Sequence, residues 1–253
     1  MSGILFIISA PSGSGKTTLV DALRQYVSHL DFSISYTTRA PRGSEQQGRE
    51  YHFITRGEFE AMIARGEFLE YAEVFGNYYG TAKSVLADAS RRGHDVLLDI
   101  DVQGERQVKG LMPDAVSIFV LPPSRTELES RLRKRSELES RSRHHSISDD
   151  VESRIRSEFE IRRRLDTARK EIENYPNYDY ILINDRLDQS VDDLEAIVLG
   201  ERIARSGKPP SIQDKQYLEI REKCLKSRME RKIRGILDSF DLPPGRDDNP
   251  DKR

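Results

Sequence analysis

Cysteine is all but missing from this sequence: among 253 residues only Cys224 carries a thiol. That excludes an intramolecular disulfide and fits a reducing compartment. Long apolar runs are missing too. The run near the start, Ile4 to Ile8, is too short for a signal-peptide core, and no basic flank precedes it. Nothing approaches the roughly 20 apolar residues of a membrane helix. The expectation is a soluble cytoplasmic protein with no membrane partner. There is no basic excess either: the formal net charge is −2, which argues against a nucleic-acid partner. With 36% hydrophobic and 33% charged residues, some segments must be solvated helices rather than core.

What apolar sequence there is falls into short runs: ILFIIS (4–9), DVLLDI (95–100), AVSIFVL (115–121) and YDYILIN (178–184). Each is rich in branched residues and separated from the next by helical or polar sequence. That alternation predicts a parallel sheet covered by helices. Residues 17–30 read as a helix with Leu19, Val20 and Leu23 on one side, and 82–92 as another, stopped by Gly93. Between them the texture is rich in aromatic and turn residues. It suits a small mixed or antiparallel sheet with its own helix at 57–65, an insert that should hold something against the loop at 10–17.

From Arg125 to about Glu173 the chain is dense in Arg and Glu. Glu precedes Arg by four at 127/131, 129/133, 137/141, 139/143, 152/156, 158/162 and 160/164, the favourable orientation on a helix. Long exposed helices are predicted there. SGKPPS (206–211) reads as a linker. After it Leu218, Leu225, Met229, Ile233, Leu237 and Phe240 predict one amphipathic helix, closed by Pro243. Its apolar face must pack on the rest of the chain, on another subunit or on a partner. GRDDNPDKR reads as a disordered end.

The chemistry begins at APSGSGKT (10–17), which follows a strand and opens a helix, the context a G-x-x-x-x-G-K-[ST] loop requires. Gly13 and Gly15 let backbone N–H groups turn inward around phosphate oxygens, and the helix directs its positive end there. Lys16 would meet the β- and γ-phosphates, and Thr17 would ligate Mg²⁺. Ala10 stands where the strict pattern has its first glycine. In YTTRAPR, Arg39 and Arg42 flank Pro41, a stiff pair suited to a dianionic phosphate. Tyr51 and Tyr79 can add hydroxyl donors. Asp99 and Asp101 end an apolar strand, where ligands of open α/β sheets collect.

SAPSGSGKTT, FSISYTTRAPRGSEQQGREYHF, FLEYAEVFGNYYGT, LLDIDVQG and YILIND occur in the order seen in guanylate kinases. Over residues 3–203 the chain resembles that family. The resemblance implies transfer of the γ-phosphoryl group of ATP to GMP with Mg²⁺. ATP would be bound by Ala10, Pro11, Ser12, Gly13, Ser14, Gly15, Lys16, Thr17, Thr18 and Asn184, the last beside the adenine. Arg39, Arg42, Tyr51 and Tyr79 would hold the GMP phosphate, while Ser35, Glu70, Thr81 and Asp101 would read the base. Asp99 is assigned with Thr17 to the Mg²⁺ site, and the roles of Asp99 and Asp101 can be exchanged. Lys16, Arg39, Arg42, Arg135 and Arg164 are the expected catalytic cations.

The implied architecture is an α/β P-loop core with a parallel sheet flanked by helices (1–32, 93–124, 174–205). It carries a mixed-sheet GMP-binding insert (33–92) and a helical lid (125–173), and 206–253 form linker, amphipathic helix and disordered tail. The lid departs from the family. RLRKRS supplies Arg131 and Arg135, and the later lid arginine falls at Arg164, so the lid contains an insertion. Other registers would use Arg141 or Arg154. His144 and His145, inside the insertion, read as surface residues rather than metal ligands.

Guanine offers N1–H and an amine as donors beside the O6 acceptor. A carboxylate such as Glu70 accepts from both donors, and a hydroxyl from Ser35 or Thr81 can donate to O6. Facing adenine, the same carboxylate meets a lone pair. Polar sites of this kind reject the wrong partner by roughly 10⁴-fold. Two other readings remain. A non-catalytic guanylate-kinase-like module that binds phosphopeptides has no need of Gly13, Gly15, Lys16 and Thr17. A phosphosugar kinase of the same fold has no use for Glu70, Thr81 and Asp101. The partners expected are ATP and GMP, with a homo-oligomer or a tail-bound partner left open.

Overall fold

The computed structural model describes residues 3–142 and 151–244; His144, His145 and the residues after 244 lie outside it. The chain forms two compact units, one of Met1–Ser9 with Val20–Ile118, the other of Ala10–Leu19 with Phe119–Arg253. No helix among the described residues is long and apolar enough to cross a membrane.

In chain order the first elements are β1 (Leu5–Ser9), α1 (Lys16–Leu23), β2 (Leu30–Phe32), β3 (Tyr36–Thr37), β4 (His52–Phe53), α2 (Arg56–Ala64), β5 (Phe68–Val74), β6 (Asn77–Ala82), α3 (Ser84–Arg92), β7 (Asp95–Asp99) and α4 (Val102–Leu111). β8 (Val116–Leu121), α5 (Arg125–Ser142), α6 (Val151–Ile172), β9 (Tyr180–Ile183), α7 (Leu187–Ser206), α8 (Ile212–Lys223) and α9 (Lys226–Ser239) follow. The four apolar runs become β1, β7, β8 and β9, joined by the short β2 in a five-stranded sheet of order β2-β7-β1-β8-β9. β1 pairs parallel to β7 from Leu5↔Val96 to Ile8↔Asp99, and β7 pairs parallel to β2. The α/β class with a parallel sheet and helices is the one the alternation implied.

In the first unit Leu5, Ile7, Leu69, Val96, Leu98, Ile100 and Val108 form one buried cluster. Each contributes about 1.5–3 kcal/mol. α1 is shorter than 17–30. Its end tightens through Tyr26 N to Leu23 O at 3.0 Å, and Leu30 is taken by β2 instead. The insert is a mixed sheet of order β4-β3-β6-β5. There β3 pairs parallel to β4, while β6 pairs antiparallel to β3 and to β5. The capping box of Thr55 and Glu58 starts α2, whose buried Phe59 stacks on Phe68 at 4.3 Å. α3 ends at Gly93 in the left-handed region, as its sequence predicts.

In the second unit α5 and α6 carry Glu-to-Arg pairs, among them Glu127–Arg131, Glu129–Arg133 and Glu160–Arg164. Pairs of this kind give about 0.2–0.5 kcal/mol each. The buried Leu128, Leu132, Ile161, Leu165 and Ile172 give several times more, so the apolar stripe rather than the charges fixes these helices.

The tail is two helices, a correction to the single one expected. The chain breaks at Cys224 and Leu225 because backbone groups along β9 take it as a partner: Ile181 N donates to Cys224 O at 2.9 Å, and Lys226 N to Asp179 O at 3.1 Å. Of the packing alternatives, the structure shows the first, with Met229, Ile233, Ile236, Leu237 and Phe240 buried within the chain. Burial pushes the Cys224 thiol up to about 12, so it packs rather than reacts.

A second clasp is polar. Glu201, 6% exposed, accepts from Arg221 Nη2 at 2.6 Å, from Arg205 Nε at 3.2 Å and from the Tyr180 hydroxyl. Replacing Glu201 by alanine removes the partner of the part-buried Arg221 guanidinium and of the Tyr180 hydroxyl, which costs about 1–3 kcal/mol. The urea midpoint of Glu201→Ala is expected to fall accordingly. A loss below about 1 kcal/mol would mean that the tail's apolar face suffices without the clasp.

Candidate active site

The loop at 10–17 belongs to the second unit. Gly13 and Gly15 have φ of +91° and +88°, a region that L side chains enter at a cost of about 1–2 kcal/mol. The carbonyl of Ser14 accepts from Asn184 Nδ2 at 2.7 Å and from Arg131 Nη1 at 3.4 Å. A trans peptide points its C=O and N–H in opposite directions. Pinning the Ser14 carbonyl therefore turns the Gly15 amide to the other side, toward the concavity of the loop. Arg131 also donates to Asn184 O at 2.9 Å, and Ser12 N donates to Glu171 Oε2 at 3.4 Å. The buried Ser14 hydroxyl lacks a partner, which leaves a donor for an anion. Lys16 opens α1, with Thr17 and Thr18 exposed in its first turn, while Ala10 and Pro11 lead into the loop.

Asn184, expected beside a base, is 6% exposed and engaged with the loop. Arg131 was not among the expected catalytic cations, and its contact to Ser14 is tertiary. Arg135, one turn further along α5, is exposed; Arg164 pairs with Glu160. The side chains of Arg141 and Arg154 lie outside the described ones.

In the first unit two clusters form. Arg39, 9% exposed, grips Glu45 through both ends of its fork at 3.0 Å. It also donates to the Tyr79 hydroxyl at 3.2 Å and lies over the Tyr51 ring at 5.4 Å. Burial works against the Glu45 charge, but Arg39 outweighs it and holds the carboxyl below the usual carboxylate range. The grip is thus intact above the ordinary carboxylate pKa and is lost as pH falls through the depressed one. Glu45 was missed because a charge in RGSEQQGRE looks solvated. Its Oε2 also accepts the Arg42 amide at 2.7 Å, while the Arg42 side chain stays exposed.

The second cluster stands where β5 meets α4. A bulge between Phe68 and Glu70 lets Leu69 enter the core while Glu70 is also buried, 4% exposed, opposite Thr81. The Thr81 hydroxyl is buried without a partner. Asp101 is the N-cap of α4, accepting from the amides of Gln103 at 3.0 Å and Gly104 at 2.8 Å. Ser35 is half-buried at the entrance to β3, and Asp99 half-buried at the end of β7. So Arg39, Tyr51 and Tyr79 come together, as do Glu70 and Thr81. Arginines beside tyrosine hydroxyls suit a phosphate, and a buried carboxylate beside a free hydroxyl suits a ligand edge carrying both donors and an acceptor.

A family model described as guanylate kinase matches residues 2–161. A guanylate kinase of Koribacter versatilis (strain Ellin345) is 55% identical over 240 residues, 95% of this chain and 97% of its own. One of Dechloromonas aromatica (strain RCB) is 50% identical over 198 residues, 78% of this chain and 89% of its own. The crystal structure of guanylate kinase from Anaplasma phagocytophilum matches with a TM-score of 0.61 at 32% identity, covering 79% of this chain and 86% of that one.

At Gly15 an added Cβ would lie 2.4 Å from Asn184 Nδ2. Gly15→Ala adds left-handed strain and loosens the Ser14 carbonyl, together about 2–3 kcal/mol. A fluorescent nucleoside triphosphate should bind roughly 100-fold more weakly, with circular dichroism unchanged. Retained affinity would show that the loop tolerates a side chain there.

Proposed function

The chain belongs to the guanylate kinase family, and we propose that its phosphate loop takes ATP as donor while its insert takes GMP as acceptor, yielding ADP and GDP. The observation that carries this reading is the buried Glu70 carboxylate beside the unpartnered Thr81 hydroxyl. Guanine offers two donors and one acceptor to such a pair, and adenine does not. Arg39, Tyr79 and Tyr51 would take the GMP phosphate together with Arg42; Ser35 would serve the base. Asp101, as the cap of α4, would act at the base chiefly through the helix it starts.

Lys16 and the loop amides would hold the triphosphate. Arg131 and Asn184 keep the loop open around it, while Arg135 and Arg164 are the lid cations proposed for the migrating charge. Mg²⁺ is a hard cation that favours oxygen, and the hydroxyl of Thr17 and the carboxylate of Asp99 are donors of that type. When bound with ATP, it would supply positive charge that offsets that of the phosphates. The acceptor is already an anionic phosphate oxygen, so no general base is required. Catalysis is positioning plus charge neutralisation. A buried, unpaired cysteine suits the reducing cytoplasm proposed for this reaction.

A coupled ADP-release assay over GMP, AMP, CMP, UMP and ribose phosphates tests the proposal. Turnover is expected with GMP far above the others, and a folded protein inert toward GMP would overturn it. Lys16→Ala should abolish turnover while calorimetry still detects GMP. Equal loss of both would contradict separate donor and acceptor sites.

A further inference from the structure

Gly104 stands in the first turn of α4, yet its backbone does not need glycine, since it is not among the residues with positive φ. Within a helix, glycine is less favourable than alanine. The position therefore gives up stability for something other than conformation.

Space explains it. A Cβ at Gly104 would lie 2.5 Å from Glu70 Oε2 and 3.0 Å from Glu70 Cδ. The carboxylate is packed against the bare face of the glycine. Neither side can step back easily. Leu69, adjacent on β5, is locked in the core cluster. Gln107, one turn along α4, clamps the β5 backbone with its side-chain amide: Tyr71 N donates to Oε1 at 3.2 Å, and Nε2 donates to Tyr71 O at 2.7 Å. Asp101 ties down the start of the helix through the Gly104 amide. With strand and helix fixed, an added methyl group meets the carboxylate first, and Ile100 Cβ at 3.3 Å leaves the methyl little room to turn away, so the carboxylate must move. Ordinary contact begins at 3.4 Å, so the displacement approaches an ångström.

We propose that Gly104 is a positioning residue for base specificity: its missing side chain is the seat that holds the Glu70 carboxylate in place for guanine. This rests on the reading of Glu70 as the acceptor of the guanine donors. A positional error of about 1 Å costs up to roughly 10²-fold in reactions that depend on alignment.

The test is steady-state kinetics of the full chain with GMP and AMP. Gly104→Ala is expected to lower kcat/KM for GMP about 10- to 100-fold, mainly through KM for GMP. KM for ATP should stay within about twofold and the melting temperature should not fall, because alanine is the better helix former. In a Glu70→Ala background the same substitution should change KM for GMP by less than about twofold. Adding it to Glu70→Asp, whose carboxylate is one methylene shorter, should also cost under about twofold. That pair decides the matter if the single variant does not fold. Unchanged GMP kinetics in Gly104→Ala would overturn the proposal, and so would an equal penalty with and without Glu70. If Glu70→Ala itself leaves the preference for GMP intact, the reading of Glu70 falls and the seat falls with it.

Discussion

An amide can face an anion only if the carbonyl of its own peptide faces away, and at the phosphate loop that condition is met by the Asn184 side chain on Ser14 O. Much of the second unit supports that contact. Asn184 continues β9 and donates its amide to Leu121 O on β8 at 2.9 Å. Its carbonyl is taken by Arg131, which Glu127 holds in turn at 2.8 Å. The start of β9 is bonded to the segment between α8 and α9 through Ile181 N to Cys224 O and Lys226 N to Asp179 O, and Glu201 fastens α7 to α8. A continuous set of bonds thus runs from the tail to the Ser14–Gly15 peptide of the loop. The neutral bonds among them are small, at about 0.5–1.5 kcal/mol each. Their value lies in leaving the loop a single conformation.

The first unit solves the complementary problem of holding polar side chains largely out of solvent. Arg39 and Glu45 do so as a pair, with two tyrosines around them. Glu70 does so against the first turn of α4, where the positive end of the helix favours a carboxylate. The register shift in β5 between Phe68 and Glu70 sets Glu70 opposite Thr81 while Leu69 joins the core, so that both residues are buried.

The sheet was legible because buried parallel strands are unbroken apolar runs, and the loop because its glycines and Lys16 have a fixed spacing behind such a run. The elements that escaped are those whose cause is distant in sequence. β2 has three residues and little apolar signal. The break at Cys224 is dictated by backbone groups of β9, and periodicity alone joins α8 to α9. Arg131 looked like one member of a charge-rich helix, and its distinction is a contact with residue 14. Among the described residues the pairs 127/131, 129/133 and 160/164 form as the spacing predicts, yet the charge pattern conceals the stripe of Leu128, Leu132, Ile161 and Leu165 that contributes more. A glycine in the first turn of a helix, such as Gly104, looks in isolation like a weak spot.

The position of the tail on β9 also bears on solubility. An open sheet ends in two rows of unpaired backbone groups, and such rows template association between copies. Here one terminal strand, β2, is only three residues long, too short to offer much of a template. At the other end, the turn between α8 and α9 takes up backbone groups at the start of β9. A chain cut at the linker would uncover Ile181 N and Asp179 O, so the tail closes part of an edge as well as adding a pair of helices.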